Sequence, residues 1–350
     1  MRRKGLTSVG LAKLAGVSSA TISRAFSADA KIKPETRARI LALADEHGYR
    51  PNAMARSLNM SQSRLVALVV NTVANPAEGE GLDQLVHRLQ ARERMPLLLC
   101  CANHEDRSQL MRLASTYRVD HVVLYSDAVS IDDAIDIFRS AVLVVASSEP
   151  LHGRAVSDVR LDAAAATREV VDHLVAEGRR RFVYLSGRSS SHIDKQRMDW
   201  FSIALGAHGL AFDLVEHGDY SYESGYKEAV LLLRRGRPDA IIAANDLMAV
   251  GIKDAASLLD IRVPEDLAIV GHDGVALANW ESHSITTIMP PSGKVSEALA
   301  DIIDRDPAAP PVQQAIECVV RWGRSTGLDM PPHHNAARKT IPLAKHSLDK

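Results

Sequence analysis

Short apolar runs recur along most of the chain and alternate with segments of helical periodicity. Each run spans five to seven residues, whereas the stretches GLDQLVHRLQARE and AATREVVDHLVAEG place apolar residues three or four positions apart. Runs that are apolar throughout are typical of parallel strands that helices cover on both faces. Four runs precede residue 158 and three follow it, so we predict an α/β core of two parallel-sheet subdomains. The runs are LVALVVN (65–71), MPLLLCC (95–101), HVVLY (121–125), AVLVVAS (141–147), RFVYLSG (181–187), AIIAAND (240–246) and LAIVGHD (267–273).

The first 50 residues carry a different pattern, which predicts a small all-α domain. A helix from about Ser8 to Ala15 is followed by Gly16, where a left-handed backbone costs little. Ser18 can cap a second helix that ends near Phe26. Two short helices joined by a tight turn containing glycine form a helix-turn-helix. The positions expected to face inward are Val9, Leu11, Ala12 and Leu14, then Ile22 and Ala25, then Ile40, Leu41 and Leu43 of a third helix that starts at Pro34 and stops before Gly48.

Charge is distributed unevenly between these two parts of the chain. The formal charge is −1, but residues 1–60 hold eleven basic and four acidic residues, a net charge of +7, and the remainder therefore carries −8. A basic segment on an acidic body is typical of a nucleic-acid-binding module joined to a domain that does not bind nucleic acid. A solvated charged face is the alternative that charge alone leaves open.

The outward face of the second predicted helix has the chemistry of a DNA-reading surface. Its side chains at or beside the exposed N-terminal part are Ser19, Ala20, Thr21, Ser23 and Arg24. Hydroxyl groups can bind phosphates, a small methyl group can contact the thymine methyl, and a guanidinium can bind guanine through two hydrogen bonds. We therefore expect this face to enter a DNA major groove.

The stretch YRPNAMARSLNMSQSR, which connects the two parts, predicts a short helix within a linker. Pro51 interrupts the preceding chain, and Asn52 can cap one or two helical turns before polar residues lead into the first strand. A plain interdomain linker is the simplest interpretation of residues 51–63. Arg56 could nevertheless contact phosphate, and Leu58 has no local apolar partner and could insert between base pairs from the minor groove.

The N-terminal part resembles the DNA-binding head and hinge helix of the LacI/GalR family of bacterial transcription regulators. The resemblance rests on LAGVSSATISR followed by KPETRARILALADEHGYRPNAMARSL. It implies a homodimer, with a tetramer left open, whose recognition helices enter successive major grooves of a near-palindromic double-stranded operator. The roles it implies are base contacts by Ser19, Ala20 and Arg24, phosphate contacts by Thr21 and Ser23, minor-groove contacts by Asn52 and Ala55, and a wedge at Leu58. Gly10 and Lys33 stand where the family has an acidic residue and a capping serine, so we expect a less stable head.

Polar residues follow the predicted strands at the edge where parallel sheets bind ligands. Capping of the next helix is the alternative for each of them. Their convergence on one edge favours a polar ligand in a cleft between the subdomains. The residues are Asn71, Tyr125, Ser147, the stretch SGRSSSHIDKQR, Asn245 with Asp246, and His272 with Asp273.

The acidic body resembles the core domain of the same family, a domain that is similar to periplasmic sugar-binding proteins. The matching pieces are NPAEGEGLDQL, VDHVVLY, AANDLMAVGI, RVPEDLAIVGHDG, ITTIMPP and VVRWGRSTG. The resemblance implies an effector-binding and dimerisation core over residues 64–327, with effector contacts at Arg197, Tyr220 and Asp273.

Departures from the family pattern reshape this predicted pocket. Ala77-Glu78 replaces an aromatic residue, Ala163 replaces an asparagine, and Trp200 replaces a small residue. Because of these departures, no specific ligand is carried over from a relative. A sugar or sugar acid is the default class of effector. The predicted organisation is a helix-turn-helix domain (1–50), a hinge helix and linker (51–63), an N-subdomain (about 64–158), a C-subdomain (about 159–285), a segment that crosses back (about 286–327) and a tail (328–350).

An enzyme and a sugar-uptake protein are the competing classes. GEGLDQ follows a strand as a dinucleotide-binding loop would, but Gln84 stands where the third glycine belongs. The sequence has no Gly-x-Ser-x-Gly elbow, no phosphate loop ending in Gly-Lys-Ser/Thr and no His-Glu-x-x-His motif. We therefore predict no catalytic residues, no cofactor and no metal site, and we expect His333-His334 to lie in an exposed disordered tail.

The head and hinge argue against a sugar-uptake protein, as does the N-terminus. MRRKGLTSVG has basic residues without the apolar region of a secretory signal, and no apolar run approaches the roughly 18 residues that span a bilayer. We expect a cytoplasmic protein without a membrane partner. The adjacent Cys100 and Cys101 close an apolar run and are expected to be buried free thiols. Together these patterns predict a transcription repressor that a small polar effector controls.

Overall fold

The computed structural model describes residues 6–26, 31–51, 63–101, 107–125, 129–147, 151, 156–188 and 191–328. The predicted hinge contacts Asn52, Ala55, Arg56 and Leu58 lie outside these ranges, as do residues 329–350 of the predicted tail. Residue contacts divide the chain into one unit of Met1–Leu65 with Arg118–Asp120 and a second unit of Val66–Tyr117 with His121–Lys350.

The N-terminal helices form a small core of their own. They are α1 (Ser8–Ala15), α2 (Ser19–Ala25) and α3 (Pro34–Glu46). Gly16 ends α1 in the left-handed conformation, with φ of 64°, as a tight turn between two helices requires. Arg39 Nη2 donates to the Ala15 carbonyl at 3.0 Å and so ties α3 to the end of α1. The buried side chains of this core are Leu11, Ala12, Ala15, Ile22, Ala25, Ile40, Ala44 and Tyr49.

The inward faces of α1 and α3 differ in part from the prediction. Val9 and Leu14 are 55% and 53% exposed, and Leu41 is exposed as well, whereas Ala15 is buried. The packed face of α1 is narrower than its apolar stripe, because only positions one turn apart point at the other two helices. Lys33 precedes α3 without a side-chain capping hydrogen bond, in agreement with its replacement of a capping serine.

The first lobe of the core is a six-stranded sheet with its helices. In the order of pairing, its strands are β11 (Gln313–Glu317), β5 (Ser157–Asp162), β4 (Val142–Ser147), β3 (His121–Tyr125), β1 (Leu65–Val70) and β2 (Met95–Cys100). The pairs from β11 to β1 are parallel. Its helices are α4 (Pro76–Ala91), α5 (Arg107–Ser115), α6 (Ile131–Ile137) and α11 (Lys294–Ile303). Apolar side chains of α4 and α11 pack into one core cluster with those of the sheet.

The second lobe repeats this architecture. Its strands pair in the order β12 (Val319–Arg321), β10 (Thr286–Met289), β9 (Ala268–His272), β8 (Ala240–Ala243), β6 (Phe182–Ser186) and β7 (Phe212–His217). All pairs are parallel except β10 with β12. Its helices are α7 (Ala164–Ala176), α8 (His192–Gly206), α9 (Tyr222–Arg235) and α10 (Asp246–Leu258).

The chain passes between the lobes at three places in the described structure: after β5, between β10 and α11, and between β11 and β12. The boundary predicted near residue 158 falls inside β5, which pairs with β4 of the first sheet. The predicted fold class, a helical helix-turn-helix head with an α/β core of two largely parallel sheets, is confirmed.

Two further expectations concern short motifs. GEGLDQ lies inside α4, so Gly79 and Gly81 belong to a helix and not to a phosphate-binding loop. Cys101 is buried as expected, but the expectation for Cys100 is wrong, because this residue at the end of β2 is exposed. None of the helices in the described part of the chain is both long and apolar enough to cross a membrane.

Candidate functional site

The cap of α2 engages one of the predicted DNA contacts. Ser18 precedes the helix with an extended backbone, and its Oγ accepts a hydrogen bond from the Thr21 N–H at 3.2 Å. The hydroxyl oxygens of the two residues lie 2.9 Å apart, so one hydroxyl donates to the other. The family resemblance implies a phosphate contact for Thr21. Its hydroxyl already has a local partner in Ser18.

The other predicted DNA contacts of the head lie on the outer side of α2. Ile22 and Ala25 are 1% and 4% exposed and point into the helical core, as predicted. The exposed residues are Ser19, Ala20, Ser23 and Arg24. Because serine and alanine are short, Arg24 has the longest reach toward a base edge on this face.

Arg197 and Asp273 form a buried ion pair in the second lobe. Arg197 Nη2 lies 2.5 Å from Asp273 Oδ1, and Arg197 Nη1 donates to the Ala244 carbonyl at 2.6 Å. The two side chains are 10% and 12% exposed. Burial acts to raise the pKa of Asp273, but the charge of Arg197 and the neighbouring His272 hold that pKa below its ordinary value. Asp273 therefore remains a carboxylate that can accept hydrogen bonds.

Asp273 begins a short loop, residues 273–276, that two side chains hold from within the second lobe. Asp246 Oδ2 accepts hydrogen bonds from the second and third N–H groups of the loop at 2.8 and 2.9 Å. Arg321 donates to the carbonyls of the same two residues at 3.0 and 3.3 Å. Asp273 has a φ of 107° and Gly274 a φ of 81°, in the region that side chains disfavour. The surrounding bonds thus fix a backbone that would otherwise relax. We call this segment the Asp273 loop.

Tyr220 and Asn245 form a second group at the same edge of the sheet. Asn245 caps α10: its Oδ1 accepts from the Met248 N–H and its Nδ2 donates to the Tyr220 carbonyl, both at 3.0 Å. The Tyr220 ring covers Gly187, where a Cβ would come within 2.2 Å of the ring. Burial raises the pKa of Tyr220 to about 12. Both polar groups of Asn245 are used inside the protein, so it braces Tyr220 and the start of α10.

The predicted contacts of the first lobe lie at or directly after the ends of three of its strands, β1, β3 and β4. Asn71 is half-buried after β1, and Ser147 ends β4. The buried hydroxyl of Tyr125, at the end of β3, has no hydrogen-bond partner among the described residues, and burial raises its pKa. Glu78 lies in the first turn of α4, and its Oε2 accepts from the Thr72 N–H at 3.3 Å. Burial raises the pKa of Glu78, and the charge of Asp273 adds to that effect.

Sequence reasoning missed an acid that organises the second lobe. Asp194 accepts hydrogen bonds from the Tyr184 hydroxyl at 2.8 Å and from the Gly187 N–H at 3.0 Å. It lies three residues after Ser191, which caps α8. The Ser-x-x-Asp spacing within SGRSSSHIDKQR is the signal that could have found it. Arg321, also missed, lies in the quoted stretch VVRWGRSTG. Within the described ranges, no group of three or more His, Cys, Asp and Glu side chains could hold a metal ion.

The chain matches known proteins in both of its parts. Residues 10–52 match the bacterial regulatory proteins of the lacI family, and residues 171–326 match the periplasmic binding protein-like domain. Over 308 residues the chain is 30% identical to the HTH-type transcriptional regulator AscG of Escherichia coli (strain K12), covering 85% of this chain and 90% of AscG. The chain belongs to the LacI family.

Solved structures share this LacI-family architecture over most of the chain. The lac repressor dimer bound to operator and the anti-inducer ONPF has a TM-score of 0.83 and 22% identity, covering 92% of this chain and 99% of the repressor chain. The complex of the transcriptional regulator CelR with cellobiose has a TM-score of 0.67 and 26% identity, covering 91% and 99%. The LacI-family protein is therefore a DNA-binding transcriptional regulator, as its relatives are, and not an enzyme.

Proposed function

We propose that this LacI-family regulator is a repressor that binds a near-palindromic operator as a homodimer in the cytoplasm. A small polar effector would control its binding to the operator. The observation that carries the proposal is the combination in one chain of an exposed recognition face on α2 and a buried ion pair, Arg197 with Asp273, at the ligand-binding edge of the second lobe. The comparison with the lac repressor dimer bound to operator supports the partner and the oligomeric state.

On the DNA side, Ser19, Ala20 and Arg24 would contact bases, and Thr21 and Ser23 would contact phosphates. Ser19 and Ala20 offer few hydrogen bonds, so Arg24 would supply most of the direct readout. The predicted hinge residues lie outside the described residues. Asn52 and Ala55 would contact the minor groove, and Arg56 would contact phosphate. Leu58 would insert between base pairs and widen the groove.

On the effector side, a sugar or sugar-acid-like ligand would lie between the two lobes. The CelR complex with cellobiose supports a sugar. Asp273 would accept hydrogen bonds from hydroxyl groups, and Arg197 would orient this carboxylate and donate to ligand oxygens. Asn71, Tyr125 and Ser147 would contact the ligand from the first lobe. Tyr220 would stack on it from the second, braced by Asn245. Because effector and operator bind one molecule, each changes the affinity for the other by the same factor.

The DNA half of the proposal is tested with an operator selected from a pool of random duplexes by the full-length protein. Arg24→Ala is expected to weaken binding to that operator by about 1–3 kcal/mol, because it removes the main base contact. Fluorescence anisotropy of a labelled duplex measures the loss. The control is Arg234→Ala, which removes an exposed arginine of the second lobe and should leave the affinity as it is. Equal affinities of Arg24→Ala and wild type would remove Arg24 from the base contacts.

The effector half is tested by thermal shift of the purified protein against separate panels of sugars, sugar acids and nucleosides. Any ligand that raises the melting temperature is then added to the protein–operator complex. The proposal expects a sugar or sugar acid to stabilise the protein and to change operator affinity, and Arg197→Ala to abolish that response while DNA binding persists. A complex that ignores every stabilising ligand would contradict control by an effector.

A further inference from the structure

The N-terminal part of α4, residues 77–80, contacts the second lobe through three kinds of interaction. Ala77 packs against the apolar cluster of the second lobe. Glu78 is close enough to Asp273 for the two carboxylates to repel each other. Glu80 Oε1 accepts a hydrogen bond from the Ala276 N–H at 3.1 Å. One turn of a helix in the first lobe thus meets the loop that presents the candidate effector carboxylate.

The Asp273 loop is suited to transmit a displacement from one end to the other. Its first residue, Asp273, would contact the effector, and its last residue, Ala276, contacts Glu80. Between them, Asp246 and Arg321 bond the N–H and carbonyl groups of the middle two residues. Gly274 packs closely against Met289, since a Cβ at position 274 would lie 2.5 Å from the Cβ of Met289. Because the bonded and closely packed loop has little internal freedom, a displacement of Asp273 that also shifts Asp246 and Arg321 would reach Ala276.

The charge of Glu80 is matched to the second lobe. The half-buried guanidinium of Arg321, which supports the Asp273 loop, is attracted by the negative charge of Glu80, and by that of Asp246 when Asp246 is ionised. A carboxylate acceptor also strengthens the bond to the Ala276 N–H relative to a neutral acceptor. Glu80 therefore favours the approach of the first lobe to the Asp273 loop by one hydrogen bond and by attraction to Arg321.

We propose that Glu80 is a positioning residue that couples the Asp273 loop to the first lobe, so that a ligand bound at Asp273 changes the position of α4. The proposal rests on the proposed effector site but concerns a residue that does not contact the ligand. The unliganded protein is held in one arrangement of its lobes by the Glu80 contact. A ligand that shifts the loop breaks or strengthens this contact, and the first lobe responds.

Hydrogen exchange of the full-length, ligand-free protein tests the contact itself. In Glu80→Ala, a peptide that covers residues 273–278 should exchange the Ala276 amide about two- to tenfold faster than in wild type. Glu80→Gln keeps an acceptor oxygen and should restore much of the protection. The control is Asp83→Ala, which removes another exposed acid of α4 that pairs with His87 on the same helix. Equal exchange in Glu80→Ala and Asp83→Ala would overturn the proposal.

Operator binding by the same variants tests the coupling, since a residue that only stabilises the fold would not alter it. With melting temperatures equal to wild type, Glu80→Ala should bind the selected operator about two- to tenfold more weakly without ligand, because the lobes lose their bias toward one arrangement. Glu80→Gln should lie between the two. Unchanged binding by Glu80→Ala would overturn the coupling. If the wild type selects no operator, the proposed function fails, and the exchange experiment still decides the contact.

Discussion

The two lobes of the core share one architecture but treat their polar side chains differently. In the second lobe the hydroxyl of Tyr184, on β6, donates to Asp194 at 2.8 Å. In the first lobe the hydroxyl of Tyr125, on β3, is equally hidden from water but has no hydrogen-bond partner within the described residues. The second lobe also contains the buried ion pair of Arg197 with Asp273.

Under the proposed function, this difference gives the two tyrosines separate parts in ligand binding. A buried network whose members are mutually bonded is rigid, and it presents its acceptors in fixed positions. A buried hydroxyl without a partner costs free energy that a bound ligand can recover by bonding to it. The pairs Tyr184–Asp194 and Arg197–Asp273 are thus bonded in the absence of a ligand. The buried hydroxyls of Tyr125 and Tyr220, which lack a partner among the described residues, would gain one from the proposed ligand.

The largest effect expected from this comparison follows removal of the ion pair in the second lobe. Asp273→Ala should lower the free energy of unfolding by about 3–5 kcal/mol, because Arg197 remains buried without its partner. Urea unfolding measures the loss. Asp136→Ala removes the partner of Arg139 in an exposed pair of the first lobe and should leave the unfolding midpoint as it is. Similar midpoints for the two variants would mean that the second lobe is not organised around Asp273.

A smaller effect separates the two tyrosines. Tyr184→Phe should cost about 1–3 kcal/mol of stability, because Asp194 loses a buried hydrogen bond. Tyr125→Phe should leave the urea midpoint unchanged or raise it slightly, since its hydroxyl has no partner to lose. Tyr125→Phe should instead weaken the response to whichever ligand the thermal-shift panels identify. A destabilised Tyr125→Phe variant with a normal ligand response would reverse the contrast between the lobes.

Within the described residues, six of the eight interior strands could be predicted from the sequence but only one of the four edge strands, and β10 is a missed interior strand. All seven apolar runs are strands. Six of them are interior strands, which are apolar because helices cover both faces of a parallel sheet, whereas MPLLLCC forms the partly exposed edge strand β2. Edge strands such as FDLVEH of β7 and QQAIE of β11 expose part of their surface and keep polar residues. The interior strand SDVRLD of β5 also mixes both types, and its polar positions concealed it.

The candidate site was predicted in its location but not in its internal bonds. The sequence indicated the sheet edge that carries Arg197, Tyr220 and Asp273, because parallel strands end there. It could not pair Arg197 with Asp273, which are far apart in sequence and meet only through the fold. Nor could it separate a ligand contact from a helix cap at Asn245, whose amide proves to serve the cap of α10. Glu80 was hidden within a glycine pattern that is helical in the structure.

The smallest expected effect is the pH dependence of the wild-type stability, because the contributions of two buried groups of the second lobe largely cancel. Burial, with the charge of Asp273, raises the pKa of Asp246 from 3.8 to about 7. Burial, with the charge of Arg197, lowers the pKa of His272 from 6.5 to about 4. Between pH 4 and 6.5 the folded protein therefore holds an extra proton on Asp246 and lacks one on His272. The two contributions to the slope of stability against pH have opposite signs.

Single substitutions should reveal each contribution separately. In Asp246→Asn only the histidine contribution remains, so stability should rise as the pH increases from about 4 to 6.5. In His272→Gln only the carboxyl contribution remains, so stability should fall as the pH increases from about 4 to 7. Urea midpoints measured across this range give both slopes. Other carboxyl groups with shifted pKa values contribute equally to wild type and to both variants. Parallel slopes for the two variants would therefore show that the pKa of Asp246 is not raised and that the pKa of His272 is not lowered in the folded protein.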